Sequence, residues 1–392
     1  MFRHYMKLLF AFQAFLFAFI LFFHQDRNST YHTRSSADHY STNETVTLSY
    51  FTLPPRPAAM LPSADVKPKF ELVRIPDNRK MKSTLDRFLA DYKKYCNSQL
   101  IPKVSSNNSV GNESSSSLCP CVPDTLVGRV NVTFETPEFG ELELLHSELS
   151  LGGSWAPESC TPRHRVAIVI PFRDRQLHLR TLLAILHPML QRQMLRYSVF
   201  VIEQKKPAVF NKAALMNVAF VKARSFADFD CVIFHDVDML PEDDRNFYVC
   251  SPQPRHVGSH VDKWNYRLPY RIIFGGVTAF RPSDFERVNG FSNLYYGWGG
   301  EDDDMFNRIR AQNMTIVRFP GAIARYAMIR HSRDAGNPSN ALKHIGWQYR
   351  PEHYVEDGLN TLRYKLEAIQ QRPLYTWLLV SLPPHPNYFK LS

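Results

Sequence analysis

Asp230-Cys-Val-Ile-Phe-His-Asp-Val-Asp238 is an apolar run that empties into two carboxylates. It reads as a strand over residues 230–234, leading straight into His235-Asp-Val-Asp238. Two similar segments precede it. Val166-Ala-Ile-Val-Ile170 is continuously apolar and closed by Pro171, the pattern of a strand covered on both faces. Tyr197-Ser-Val-Phe-Val-Ile202 is the second. Residues 176–190 and 212–223, which lie between these strands, repeat apolar side chains at helical spacing. Strand, helix, strand, helix, strand predicts an α/β fold with a mostly parallel sheet. Ligands of such sheets bind beyond the carboxyl ends of the strands. Both Pro171-Phe-Arg-Asp-Arg175 and Asp236-Val-Asp238 fall at such ends.

Carboxylates in that position can hold Mg²⁺ or Mn²⁺ against a diphosphate. The competing reading is a polar cap on a strand-to-turn junction. Arg173 and Arg175 add charge-assisted donors suited to phosphate, and the Gly-rich Walker sequence of a P-loop is not there. Further on, Tyr295-Tyr-Gly-Trp-Gly-Gly-Glu-Asp-Asp-Asp304 sets aromatic rings and glycines before four consecutive acids. The acids fall in the first turn of a helix, whose N-terminus favours ionised carboxylates. Rings to stack on and acceptors for hydroxyls make a sugar site. Together the segments point to a sugar nucleotide.

The rest of the chain sets the context. With 392 residues, 44% hydrophobic and 13% aromatic, it can bury a large core. The formal charge of +10 comes from scattered Lys and Arg, which argues against a nucleic-acid partner. Residues 8–23 are apolar except for Gln13 and span roughly 24 Å as a helix, enough for a thin bilayer of the early secretory path. Arg3, His4 and Lys7 before them place residues 1–7 in the cytosol and the remainder in a lumen. No small-residue cleavage site follows, so an uncleaved signal-anchor is expected over a signal peptide. Six glycosylation triplets, at Asn28, Asn43, Asn107, Asn112, Asn131 and Asn313, agree with a lumenal body. Residues 24–115, rich in Ser, Thr, Asn and Pro, read as a stem, interrupted by one amphipathic helix over residues 81–95. The folded domain is placed at 116–392, with a nucleotide-binding half at about 165–275 and an acceptor-binding half at 276–392. The six cysteines are expected to form disulfides in an oxidising lumen, in a pairing the sequence leaves open. The spacing of Cys119-Pro-Cys121 is wrong for a zinc knuckle.

Several strings carry a resemblance. Pro171-Phe-Arg-Asp-Arg175, Phe210-Asn-Lys212, His235-Asp-Val-Asp238, Phe274-Gly-Gly-Val277, Gly297-Trp-Gly-Gly-Glu-Asp-Asp-Asp304 and Met328-Ile-Arg-His331 follow one another in an order that resembles the β1,4-galactosyltransferase family. The match runs from about Cys119 to Tyr375. It implies a GT-A fold, a type II Golgi membrane anchor with a lumenal catalytic domain, a UDP-sugar donor, Mn²⁺, and inversion at the anomeric carbon. By resemblance, Asp238, Met328 and His331 are the metal ligands. A thioether beside an imidazole and a carboxylate suits Mn²⁺ better than Mg²⁺. Pro171, Phe172, Arg173, Arg175, Asp236 and Val237 resemble donor contacts. So does Lys212, where the family more often has Arg, which offers a bidentate fork that Lys lacks.

The resemblance makes Asp302 the catalytic base and Asp303 an acceptor contact, with Tyr270, Gly276, Gly300 and Glu301 beside it. Trp298 resembles a hinged-loop residue that closes over the donor, and a second mobile loop is expected over residues 329–349. Ile273 stands where galactose-using relatives carry Tyr, near C2 of the donor sugar. The shorter side chain leaves room for an acetamide. This predicts UDP-GalNAc as donor and a β1,4-N-acetylgalactosaminyltransferase, with a β1,4-galactosyltransferase using UDP-Gal as the alternative. An inactive sugar-binding homologue is the reading from another class, and intact Asp302, Asp238, Met328 and His331 argue against it. The acceptor implied is a terminal β-GlcNAc on glycoprotein or glycolipid. Its acetamide pocket maps to Lys343-His-Ile-Gly-Trp347, where this chain diverges. The family's disulfides imply Cys119–Cys160 and Cys231–Cys250, leaving Cys96 and Cys121 to pair with each other.

Overall fold

The computed structural model describes residues 79–98, 117–135, 137–332, 334, 336–340 and 351–384. The expected anchor, most of the expected stem and the segment Lys343–Trp347 lie outside them. No helix among the described residues is long and apolar enough to cross a membrane.

In chain order the elements begin with helices α1 (Arg79–Ser98) and α2 (Phe139–Leu145), then strands β1 (Ser154–Trp155) and β2 (Arg165–Phe172). Helix α3 (Gln176–Arg192), strand β3 (Arg196–Gln204), helix α4 (Lys212–Phe226) and strand β4 (Cys231–His235) complete the alternation read from the sequence. Short strands β5 (Met239–Pro241), β6 (Arg255–His256), β7 (His260–Val261) and β8 (Val277–Phe280) follow. Helices α5 (Pro282–Arg287) and α6 (Glu301–Ala311), strand β9 (Arg325–Met328), helix α7 (Pro351–Glu356) and the hairpin β10 (Lys365–Gln371) and β11 (Thr376–Ser381) close the domain.

The main sheet runs β10-β11-β3-β2-β4-β8-β6, with β1 on β3. It is parallel across β11, β3, β2 and β4, and antiparallel at β4–β8, β8–β6, β10–β11 and β1–β3. The sheet is therefore mixed, not mostly parallel. The parallel centre follows from the long crossovers through α3 and α4. The antiparallel pairs come from β1 before this alternation and from β6, β8 and β10 after it, which are not joined to their neighbours by helical crossovers of this kind.

Alternate residues of β2 enter opposite cores. Val166, Ile168 and Ile170 pack with Leu182, Ile185 and Leu186 of α3, while Ala167 and Val169 pack with Leu215, Val218 and Ala219 of α4. The strand is thus covered on both faces, as its uninterrupted apolar run requires. Helix α4 starts at Asn211, whose side chain accepts from Ala214 N at 2.9 Å and so caps a free helical amide.

Helix α1, in the segment read as stem, is fastened to this domain. Leu85 is buried, Tyr92 stacks on Phe247 with ring centroids 4.4 Å apart, and Phe88 meets Phe319 edge-on at 4.8 Å. Disulfides join Cys96 to Cys121, Cys119 to Cys160 and Cys231 to Cys250.

Candidate active site

The carboxyl end of β4 turns sharply. Asp236 N donates to Gly276 O at 2.9 Å and Met239 N to Asp236 O at 3.2 Å, which presents Asp236 and Asp238 just beyond the sheet. A small second sheet, β5-β9-β7, crosses at this point and sets Met328 opposite Met239. Ile329 N donates to Asp238 O at 2.9 Å, so the strand end that carries Met328 lies against the Asp238 backbone. His331 Nε2 donates to Asp238 Oδ2 at 3.2 Å, and that hydrogen bond raises the imidazole above its ordinary value. Among the described residues no cluster of three or more His, Cys, Asp or Glu could hold a metal. The set expected here has only two such residues, with a thioether as third donor. Carboxylate and imidazole already touch, and Met328 is on the adjoining strand, so the donor set fits a divalent ion of intermediate softness.

Arg173 and Arg175 serve different ends. Arg173 is buried: Nη1 donates to Ala208 O at 2.7 Å and Nη2 to Gly336 O at 2.8 Å. Its guanidinium also lies 3.7 Å from Asp334 and 4.8 Å from the centre of the Phe210 ring. It pins the chain just after His331. Arg175 Nη2 lies 3.1 Å from His331 Nδ1. Pro171 and Phe172 end β2 in buried positions, and Val237 is packed against the core between the two aspartates.

Eleven of the predicted residues line one cavity of about 360 Å³: Lys212, Asp236, Tyr270, Ile273, Gly276, Trp298, Gly300, Glu301, Asp302, Asp303 and Met328. A wider cleft of about 830 Å³ lies at Trp155, Glu148 and Arg192, near the amino ends of the strands and away from these groups. Volume therefore does not mark the chemistry here; converging acids do. Gly300, at φ 99°, turns the chain into α6 and puts Glu301, Asp302 and Asp303 in its first turn. Burial, reinforced by the charge of Glu301, pushes the Asp302 carboxyl up to about 7. Burial likewise raises Asp236 to about 6, with Lys212 opposing. Two buried oxygens in this wall, Glu301 Oε2 and Asp303 Oδ1, have no hydrogen-bond donor among the described residues. Buried acceptors left in this state call for a ligand that brings hydroxyl groups.

Trp298 is 54% exposed at the cavity mouth. Its N donates to Pro338 O at 2.8 Å and its O accepts from Asn340 N at 2.9 Å. The two loops expected to move are thus zipped backbone to backbone. Gly297, at φ +88°, admits this approach, since a Cβ there would lie 2.4 Å from Pro338 O.

Sequence reasoning missed Met239, His256 and Lys263, which also line the cavity. Lys263 Nζ stands 5.6 Å from the Trp264 ring centre, and neighbouring Asp262 accepts from Met328 N at 2.9 Å. The only available signal was a Lys-Trp pair after a two-residue strand, too short to carry a pattern.

The chain is similar to known proteins. The family model for the N-terminal region of glycosyl transferase group 7 matches residues 119–251, and the model for the N-terminal domain of galactosyltransferase matches residues 255–332. β-1,4-Galactosyltransferase 2 of Cricetulus griseus is 46% identical over 268 residues, covering 67% of this chain and 72% of that protein. Human β-1,4-galactosyltransferase 1 is 43% identical over 267 residues, covering 67% of each. A crystal structure of a Drosophila β-1,4-galactosyltransferase 7 mutant, in complex with manganese, UDP-Gal and xylobiose, is 30% identical. It covers 56% of this chain and 94% of that one at a TM-score of 0.48. The sequence relatives are named for galactose, so they do not carry the expectation of an N-acetylgalactosaminyl branch.

Proposed function

This chain belongs to glycosyl transferase group 7, the β1,4-galactosyltransferase family, and from that premise we propose that it is an inverting transferase. In this reading it moves a sugar from a UDP donor to hydroxyl 4 of a terminal β-GlcNAc. The observation that carries the reading is the cavity wall of α6. There a carboxylate raised by burial, Asp302, stands between two carboxylates with unpartnered oxygens, across from the strand end bearing Asp236. The mixed sheet with helices on both faces fits the GT-A arrangement that the resemblance implied.

The residues would act as follows. Asp302, once ionised, accepts the proton of the acceptor hydroxyl as that oxygen attacks the anomeric carbon. The new C–O bond forms as the bond to the UDP phosphate oxygen breaks, on the opposite face, which inverts the configuration. Glu301 and Asp303 hold acceptor hydroxyls through their free oxygens. Tyr270, which hydrogen-bonds Asp303, fixes one of those carboxylates. Asp238, Met328 and His331 would hold Mn²⁺, which when bound supplies positive charge for the departing diphosphate. Trp298 and the segment zipped to it shield the site from water.

The relatives' names favour galactose as the transferred sugar, and UDP-Gal is the donor we adopt. A second reading, UDP-GalNAc, is favoured by Ile273, a short apolar side chain in the cavity wall without a hydroxyl. Residues 8–23 are proposed as a type II anchor in the Golgi membrane. A transfer assay with UDP-Gal, UDP-GalNAc and a GlcNAc glycoside, with and without Mn²⁺, tests the reading. Metal-dependent formation of a β1,4 product supports it; binding of donor and acceptor without transfer contradicts it.

A further inference from the structure

Residues 271–276 touch three parts of the site at once. Ile273 is 7% exposed and lines the cavity. At Gly275 the backbone lies against the base: a Cβ there would be 2.6 Å from Asp302 Oδ2. Gly276 O accepts from Asp236 N at 2.9 Å. The segment precedes β8 and has no ladder of its own, so its position must be fixed from behind.

Two side chains do this: Arg318, and His256, which lines the cavity beside the segment. Arg318 Nη2 donates to Ile273 O at 2.7 Å and to Arg271 O at 3.2 Å. Arg318 Nε donates to His256 Nδ1 at 3.1 Å, and His256 Nε2 donates to Gly275 O at 2.9 Å. The chain of donors is self-consistent. Gly275 O can only accept and Arg318 Nε–H can only donate, so the imidazole carries its one proton on Nε2. Burial, with the guanidinium beside it, lowers His256 to about 3 and keeps it neutral. A protonated imidazole would carry hydrogen on both nitrogens and break the link to Arg318.

We propose that Arg318 and His256 are positioning residues: together they clamp residues 271–276, setting both the donor-sugar wall at Ile273 and the seat of the Asp302 carboxylate at Gly275. The clamp rests on the transferase reading above. Its bonds go to the carbonyls of Arg271, Ile273 and Gly275, not to that of Gly276, which holds Asp236, nor to the metal ligands or the α6 acids, so it acts on the sugar end of the donor and on the base rather than on the nucleotide. Misplacement of reacting groups by about 1 Å lowers rates about 100-fold, which gives the clamp its leverage.

The test uses Arg318→Lys, His256→Gln and His256→Phe in the full chain. Lys keeps the charge but cannot fork to three acceptors. Gln keeps an N–H for Gly275 O, and Phe does not. Affinities for UDP, UDP-Gal and UDP-GalNAc are read by calorimetry with Mn²⁺, and transfer kinetics are read alongside. UDP affinity is expected to stay within about twofold of wild type in all three variants, as for sites that share no partner. In Arg318→Lys and His256→Phe, affinity for the tighter-binding UDP-sugar falls about tenfold, as one lost anchoring bond predicts. Turnover falls with it, and the ratio between the two donors shifts; His256→Gln recovers most of both. Unchanged sugar-dependent affinity would overturn the clamp. So would loss of UDP and UDP-sugar affinity by the same factor, or a Gln variant as damaged as Phe. A wild-type chain that binds UDP-sugar tightly but transfers nothing would refute the transferase reading, while the affinity series would still decide for or against the clamp.

Discussion

Lys212 Nζ lies 2.8 Å from Glu301 Oε1 and 3.2 Å from Asp236 Oδ1. One ammonium therefore ties the strand end on the donor side to the first turn of α6 on the acceptor side. Burial alone would lower this lysine, but Asp236, Glu301 and Asp302 together hold it well above the usual range. The sequence suggested a phosphate contact for it; the fold also makes it the counter-charge of three acids. Lys212→Met is expected to raise the apparent pKa of the acidic limb of kcat by about one unit, since Asp302 loses its nearest favourable charge. Lys212→Arg should leave that limb in place. A pH–rate profile of both variants checks this, and an unmoved limb in the Met variant would refute it.

The raised carboxyl of Asp302 has a consequence for stability. Its folded pKa, about 7, lies above the usual Asp value, so the folded state holds the proton more tightly than the unfolded one. In the ligand-free protein its contribution is therefore fully present below about pH 4 and is lost as pH rises toward 7. Asp302→Asn mimics the protonated form and should be more stable than wild type at pH 7, by an amount of the order of 1 kcal/mol. The gap should close near pH 4. Denaturant unfolding at the two pH values measures it.

Gly275 needs no unusual backbone angle; it needs space. The Cβ of Ala would stand 2.6 Å from Asp302 Oδ2, and the carboxylate is the group that can move. Gly275→Ala should fold with nearly unchanged stability while turnover falls about 100-fold, because the base leaves its seat. Parallel thermal unfolding and steady-state kinetics distinguish this from general damage.

Ile273 gives the sharpest test of donor choice. Ile273→Tyr adds a ring and a hydroxyl to a wall that is 7% exposed. Selection against UDP-GalNAc in favour of UDP-Gal is expected to rise by at least about tenfold in kcat/KM, the scale on which pocket filling discriminates. An unchanged ratio would show that this wall does not face the substituent at C2.

Three of the four parallel strands were legible because β2 and β4 read as unbroken apolar runs and β3 as one interrupted only by Ser198, whereas β11 was not read from the sequence. The strands β5 to β9 were not, because they have between two and four residues each. At that length neither alternation nor continuity exists, and pairing is decided by tertiary contacts. The acids of α6 and the aromatic-glycine loop stood out by composition alone. His256 and Arg318 did not: each is an ordinary residue whose role comes from partners between 19 and 62 positions away in sequence. Helix α1 shows the same limit at the domain edge. The helix was visible at residues 81–95, but its docking through Tyr92 on Phe247 depends on a surface formed more than a hundred residues later.

The most direct test is sugar transfer by wild type and by Asp302→Asn, with UDP-Gal, a GlcNAc glycoside and Mn²⁺, alongside UDP affinity measured on both. The account predicts metal-dependent transfer by the wild type, and a loss of about 10²–10⁴-fold in the variant with UDP affinity unchanged. Near-normal turnover by Asp302→Asn would contradict it.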